Sequence, residues 1–138
     1  MIDEAEIDAN IYADGNGVYS YIVTGEYACT PVGPGAPVLS CQSTVYPTEV
    51  PSGTTPVGVI LTHPLEGNGN MSEIKYGGDI LVVNQIYNQL GIDALYTVTA
   101  SGRVLLYVPS LYDPTQANQC QATFVIQGPQ NPAPCMPY

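Results

Sequence analysis

A chain of 138 residues is the size of one domain and can bury a core, yet only 10% of it is charged, twelve acids against two bases for a net charge of −10. Two bases, Lys75 and Arg103, are too few to neutralise a phosphate backbone, so nucleic-acid binding is excluded and anionic membranes are disfavoured as partners. No run reaches the ~18 apolar residues of a membrane-spanning helix, and the acidic start Met1-Ile-Asp-Glu-Ala-Glu6 lacks the basic and apolar regions of a signal peptide.

Residues 5–24 predict a β-hairpin. Ile7, Ile11, Val18, Tyr19, Tyr21 and Val23 flank Asp14-Gly15-Asn16-Gly17, residue types that tolerate the positive φ of a tight turn. The stretch 30–56 is rich in proline and glycine and reads as loop, with one short strand near Ser43–Tyr46. Val57–Thr62 is a continuous apolar run, the pattern of a central strand buried on both faces. After the glycine-rich stretch 66–78, Asp79 is placed to cap a helix over about 79–90. Its apolar face is Ile80, Val83, Ile86, Tyr87 and Leu90, and Gly91 ends it. Leu95–Thr99 and Val104–Val108 form a second hairpin, Ala122–Gln127 a last strand, and the tail 128–138 holds four prolines. One main helix against a mixed sheet is an α+β fold, a single domain spanning 1–138.

Cys29, Cys41, Cys120 and Cys135 form no C-x-x-C pair, so zinc-finger spacing is absent. An even count in proline-rich loops predicts two disulfides, with three connectivities open. Cys29–Cys41 with Cys120–Cys135 is favoured because each closes a short irregular loop, and four buried thiols are the alternative. Disulfides and a neutral-polar surface together point to a secreted or extracytoplasmic location. Asp14-Gly-Asn-Gly17 lacks EF-hand ligand spacing, and a hairpin turn explains it. Asn70-Met-Ser72 is a glycosylation sequon, relevant in a eukaryotic secretory pathway. Eleven tyrosines suit either recognition surfaces or strand packing.

His63, the one histidine, ends a buried strand before Pro64, and Asp79 follows a glycine-rich loop. Loops at strand ends are where sites are commonly built. Four segments occur in order: Glu6-Ile-Asp-Ala-Asn-Ile-Tyr-Ala-Asp-Gly-Asn-Gly-Val-Tyr-Ser-Tyr21, Gly58-Val-Ile-Leu-Thr-His-Pro64, Tyr76-Gly-Gly-Asp-Ile80 and Thr97-Val-Thr-Ala-Ser-Gly-Arg-Val-Leu-Leu-Tyr107. Together they resemble the JAB/MPN (JAMM) metalloprotease-like superfamily, and most of all its small bacterial branch associated with Rhs-type polymorphic toxins. The likeness covers roughly residues 5–109, leaving 110–138 as a C-terminal extension.

In active members an early Glu is the general acid/base. A His-x-His-Pro segment and a later Ser-x-x-Asp supply two His and one Asp to zinc, and a water takes the open fourth position. The resemblance implies Glu6 as acid/base, with His63 and Asp79 as metal ligands. Two positions depart from the pattern. Leu61 stands where the first His belongs, and Tyr76 where the Ser belongs; shifting the register to Ser72 restores the Ser but puts Lys75 at the ligand position. The expected function is therefore a degenerate JAB-like domain of a secreted or toxin-associated protein, working through protein contacts and without a cofactor. One alternative is a zinc-dependent peptidase or isopeptidase using Glu6, His63 and Asp79. The other is a structural extracellular binding module.

Overall fold

The computed structural model describes residues 5–28, 30–31, 39–40, 44–62, 77–99, 102–113, 115 and 122–129; for 30–31, 39–40 and 77–80 it describes the backbone alone. β1 (Ala5–Ala13) and β2 (Tyr19–Ala28) form the first hairpin. The Asp14 carboxylate holds its turn by accepting from the backbone N–H of Asn16 at 2.8 Å and of Val18 at 2.9 Å, and Gly17 supplies φ +76°. β3 (Thr30–Pro31) and β4 (Leu39–Ser40) make a separate two-stranded ladder. Thr44–Tyr46 is irregular rather than a strand. Its backbone bonds to side chains instead: the Thr44 carbonyl accepts from the Tyr27 hydroxyl at 3.0 Å and the Tyr46 carbonyl from the Asn10 amide at 2.6 Å.

β5 (Thr55–Thr62) pairs antiparallel with β1 and parallel with β6 (Leu95–Val98). Parallel neighbours need a crossover, and α1 (Gly77–Leu90) lies within it. The helix starts two residues before Asp79, which therefore sits in its first turn rather than at its cap. Gly91 ends the helix at φ +72°, its N–H donating to the Tyr87 carbonyl at 2.8 Å. β7 (Val104–Tyr107), a 3-10 turn at Pro109–Leu111 and β8 (Thr123–Gln127) complete an α+β arrangement. The six-stranded mixed sheet has the order β2-β1-β5-β6-β7-β8.

Val83 of α1 packs on Val59 and Leu61 of β5, Leu95 of β6 and Tyr107 of β7, with Ala122 and Val45 at the margins. The apolar run in β5 is buried by the helix on one face; on the other, Ile60 is half-buried, so the strand is not covered equally on both sides. Tyr107 is buried and donates its hydroxyl to Asn84 Oδ1 on α1 at 2.7 Å. Burial is the main cause that lifts its phenol above the ordinary tyrosine range; the Asn84 bond pulls it down and Tyr112 pushes it up. A raised folded-state value means stability that is complete below about pH 10 and is lost as pH climbs past it, because the unfolded chain gives up its proton first. Tyr107→Phe is expected to cost about 1 kcal/mol at neutral pH and to flatten part of the alkaline decline, measured by urea unfolding at several pH values.

Candidate functional site

Residues directly opposite one another in a sheet share a face, so the register assigns sides. On the helix side one row reads Asp8, Leu61, Thr97, Leu105, and the next reads Asn10, Val59, Leu95, Tyr107. Strand alternation adds Glu6 and, at the hairpin between β6 and β7, Thr99 and Arg103. All six polar members, Glu6, Asp8, Asn10, Thr97, Thr99 and Arg103, are buried. The apolar row around Val59 and Leu95 thus gives way to a polar end, near where β5 stops and β1 begins.

The polar end has structural anchors. Asn10 donates to the Tyr46 and Glu49 carbonyls at 2.6 and 3.0 Å, pinning the 44–54 segment to the sheet. Arg103, with 1% exposure, is the one base among the described residues, and it shares the helix side with the carboxylates of Glu6 and Asp8. Each of the three is held by interactions within the fold. The Arg103 carbonyl accepts from the Thr99 N–H at 2.9 Å, closing the hairpin over Gly102 at φ +86°. Gly128, at φ +93°, lies against the same residue: a Cβ there would stand 2.7 Å from Arg103 Cβ, so only glycine lets β8 end this close to it.

Of the residues that carry the resemblance, Glu6 is buried on β1, Leu61 is buried on β5 in register with Asp8, and Asp79 is the third residue of α1. His63, Ser72, Lys75, Tyr76 and the four cysteines, with any pairing of them, lie outside the described residues. The resemblance gives no role to Asp8, Asn10 or Arg103. Their signal was present, since Glu6, Asp8 and Asn10 recur with the strand period of two. That period assigns the three to one face without saying whether the face is wet or buried. Leu61 carries no lone pair and is occupied in the core, and among the described residues no three His, Cys, Asp or Glu side chains converge.

The opposite side of the sheet is different in kind. Its central row runs Val23, Ala9, Ile60, Tyr96, Leu106, Phe124 across all six strands. Tyr19, Tyr21 and Val23 at one end and Phe124 and Ile126 at the other are exposed, between 48% and 70%. Between them an open groove of about 450 Å³ is lined by Ile11, Tyr19, Val57, Ala94 and Tyr96. Gly58 lies beside it, where an added Cβ would meet Ile11 Cδ1 at 3.4 Å and Ala94 Cβ at 3.5 Å. Comparisons with protein-family models, with curated proteins and with solved structures find no match.

Proposed function

We propose that this chain is a degenerate JAB-like domain of a secreted or toxin-associated protein, and that it acts by binding another protein rather than by zinc hydrolysis. The observation that carries this reading is the open face of the sheet, where aromatic and aliphatic side chains stand in solvent on both sides of an apolar groove. Large contiguous apolar patches on a folded domain mark interaction surfaces, and tyrosine is suited to them because it adds contact area at low entropic cost. The hydrolytic alternative is disfavoured by Leu61, whose place in the packed core removes a ligand that the family chemistry requires. Under the same reading the four cysteines form two disulfides in an oxidising compartment, and the proline-rich loops are tied by them.

Protein purified without added metal is expected to carry no stoichiometric zinc and to show no chelator-sensitive cleavage of peptide or isopeptide bonds. Its native state is expected to bind a hydrophobic fluorescent dye, with the signal reduced by Tyr21→Ser and Phe124→Ser. Intact mass without reductant should fall four hydrogens below the reduced chain. Chelator-sensitive cleavage abolished by Glu6→Gln would overturn the reading in favour of the peptidase.

A further inference from the structure

β2 is one edge of the six-stranded sheet, and among the described residues no strand pairs with its outer side. An edge strand presents alternate N–H and C=O groups to solvent, a template that natural proteins blunt with lysine, proline, a bulge or an inward charge. Val18-Tyr-Ser-Tyr-Ile-Val-Thr-Gly25 has no lysine, no proline and no charge. Its register irregularity opposite Asp8/Ala9 falls at Thr24, so Tyr19–Val23 stays in step with β1. Val18, Tyr19, Ser20, Tyr21, Ile22 and Val23 are all exposed, an unbroken run covering both faces of the strand.

The charges around this strip select what can add to it. Asp14 stands at its start, held there by the bond to the Val18 N–H, and exposed Glu26 stands at its end. We propose that the β2 edge accepts an extended segment of a partner protein as a seventh strand, β-branched or aromatic at its centre and carrying Lys or Arg at its ends. Main-chain hydrogen bonds to β2 supply the affinity and the two acidic flanks supply the selection. A second copy of the chain is a poorer occupant. It brings a net charge of −10 to another −10, and antiparallel pairing of two β2 strands sets one copy's Asp14 end toward the other's Glu26 end, with Arg103 buried and unable to offset them. This inference rests on the contact-domain reading and names the chemistry of the partner.

The test uses isotope-labelled protein and two synthetic peptides that share a centre of alternating threonine, valine and tyrosine, one ending in lysines and the other in glutamates. The lysine peptide is expected to shift the amide resonances of residues 18–26 and to slow their hydrogen exchange, with binding that weakens as salt rises; the glutamate peptide should bind at least about tenfold less well. Ile22→Lys, and separately Ser20→Lys, should each weaken the lysine peptide by about tenfold while leaving the thermal unfolding midpoint unchanged. Equal binding of both peptides, or no change at residues 18–26, would overturn the proposal. So would concentration-dependent dimerisation lost in Ile22→Lys, which would make a second copy the occupant. Shifts confined to Tyr96, Leu106 and Phe124 would also overturn the edge while leaving the contact-domain reading in place, which zinc-dependent cleavage alone would remove.

Discussion

Leu61→His is expected to lower the unfolding free energy by about 2–4 kcal/mol without metal and to regain part of that loss when zinc is added. The first effect follows from packing. Leu61 is 2% exposed and touches the cluster of Val59, Val83, Leu95 and Tyr107, so an imidazole there gives up apolar burial and brings a polar ring that needs partners. The second effect follows from linkage: a ligand that binds the folded state stabilises it by about 2.7 kcal/mol at a hundredfold excess over its dissociation constant. Urea unfolding of wild type and variant, with and without zinc, reads both. The wild type should not respond to zinc. A variant equally indifferent to it would count against the ancestry that the order of Glu6, Leu61-Thr-His63 and Asp79 implies. Leu61→Ala serves as the control, with a similar loss from the cavity and no recovery.

Arg103→Met is expected to be the most damaging single change, costing about 3–5 kcal/mol. Methionine keeps most of the length of the side chain, so the loss reports charge and hydrogen bonding more than volume. Arg103 is buried on the face that also buries Glu6 and Asp8. Arg103 is engaged within the fold, and removing one partner of a buried charged interaction leaves the other desolvated and uncompensated. Chemical unfolding measures the effect directly. A loss below about 1 kcal/mol would show that Arg103 compensates no buried charge. Arg103→Lys should recover only part of the loss, since an ammonium cannot reproduce the planar donor fork.

Much of the architecture was legible in the residues. The hairpin around Asp14–Gly17, the apolar β5 run, the helix ending at Gly91 and the β6–β7 hairpin all follow from local rules: turn residues that accept positive φ, β-branched runs, and apolar spacing of three and four. The helix starts two residues earlier than its apolar spacing predicts: Gly77 and Gly78 read as loop, while the backbone carries its helical turn through them. Thr44–Tyr46, the described part of the strand expected near Ser43–Tyr46, is irregular for a tertiary reason: Thr44 and Tyr46 spend their carbonyls on Tyr27 and Asn10.

Local pattern determines that Glu6, Asp8 and Asn10 share a face and that Ile7, Ala9 and Ile11 share the other. An isolated amphipathic strand with that pattern would turn its polar side to water. The fold does the reverse with the polar row, burying it under the helix side of the sheet, while Ile7 is exposed. What decides this is the company the strand keeps. Leu61 and Thr97 continue the Asp8 row, and the only described base is delivered to the same side from a hairpin some hundred residues away in sequence. Burial of a carboxylate depends on which distant groups meet it, and strand periodicity carries no information about them. The edge position of β2 has the same origin: local pattern predicts Tyr19–Val23 as a strand, and only the order of strands leaves it outermost among the described residues.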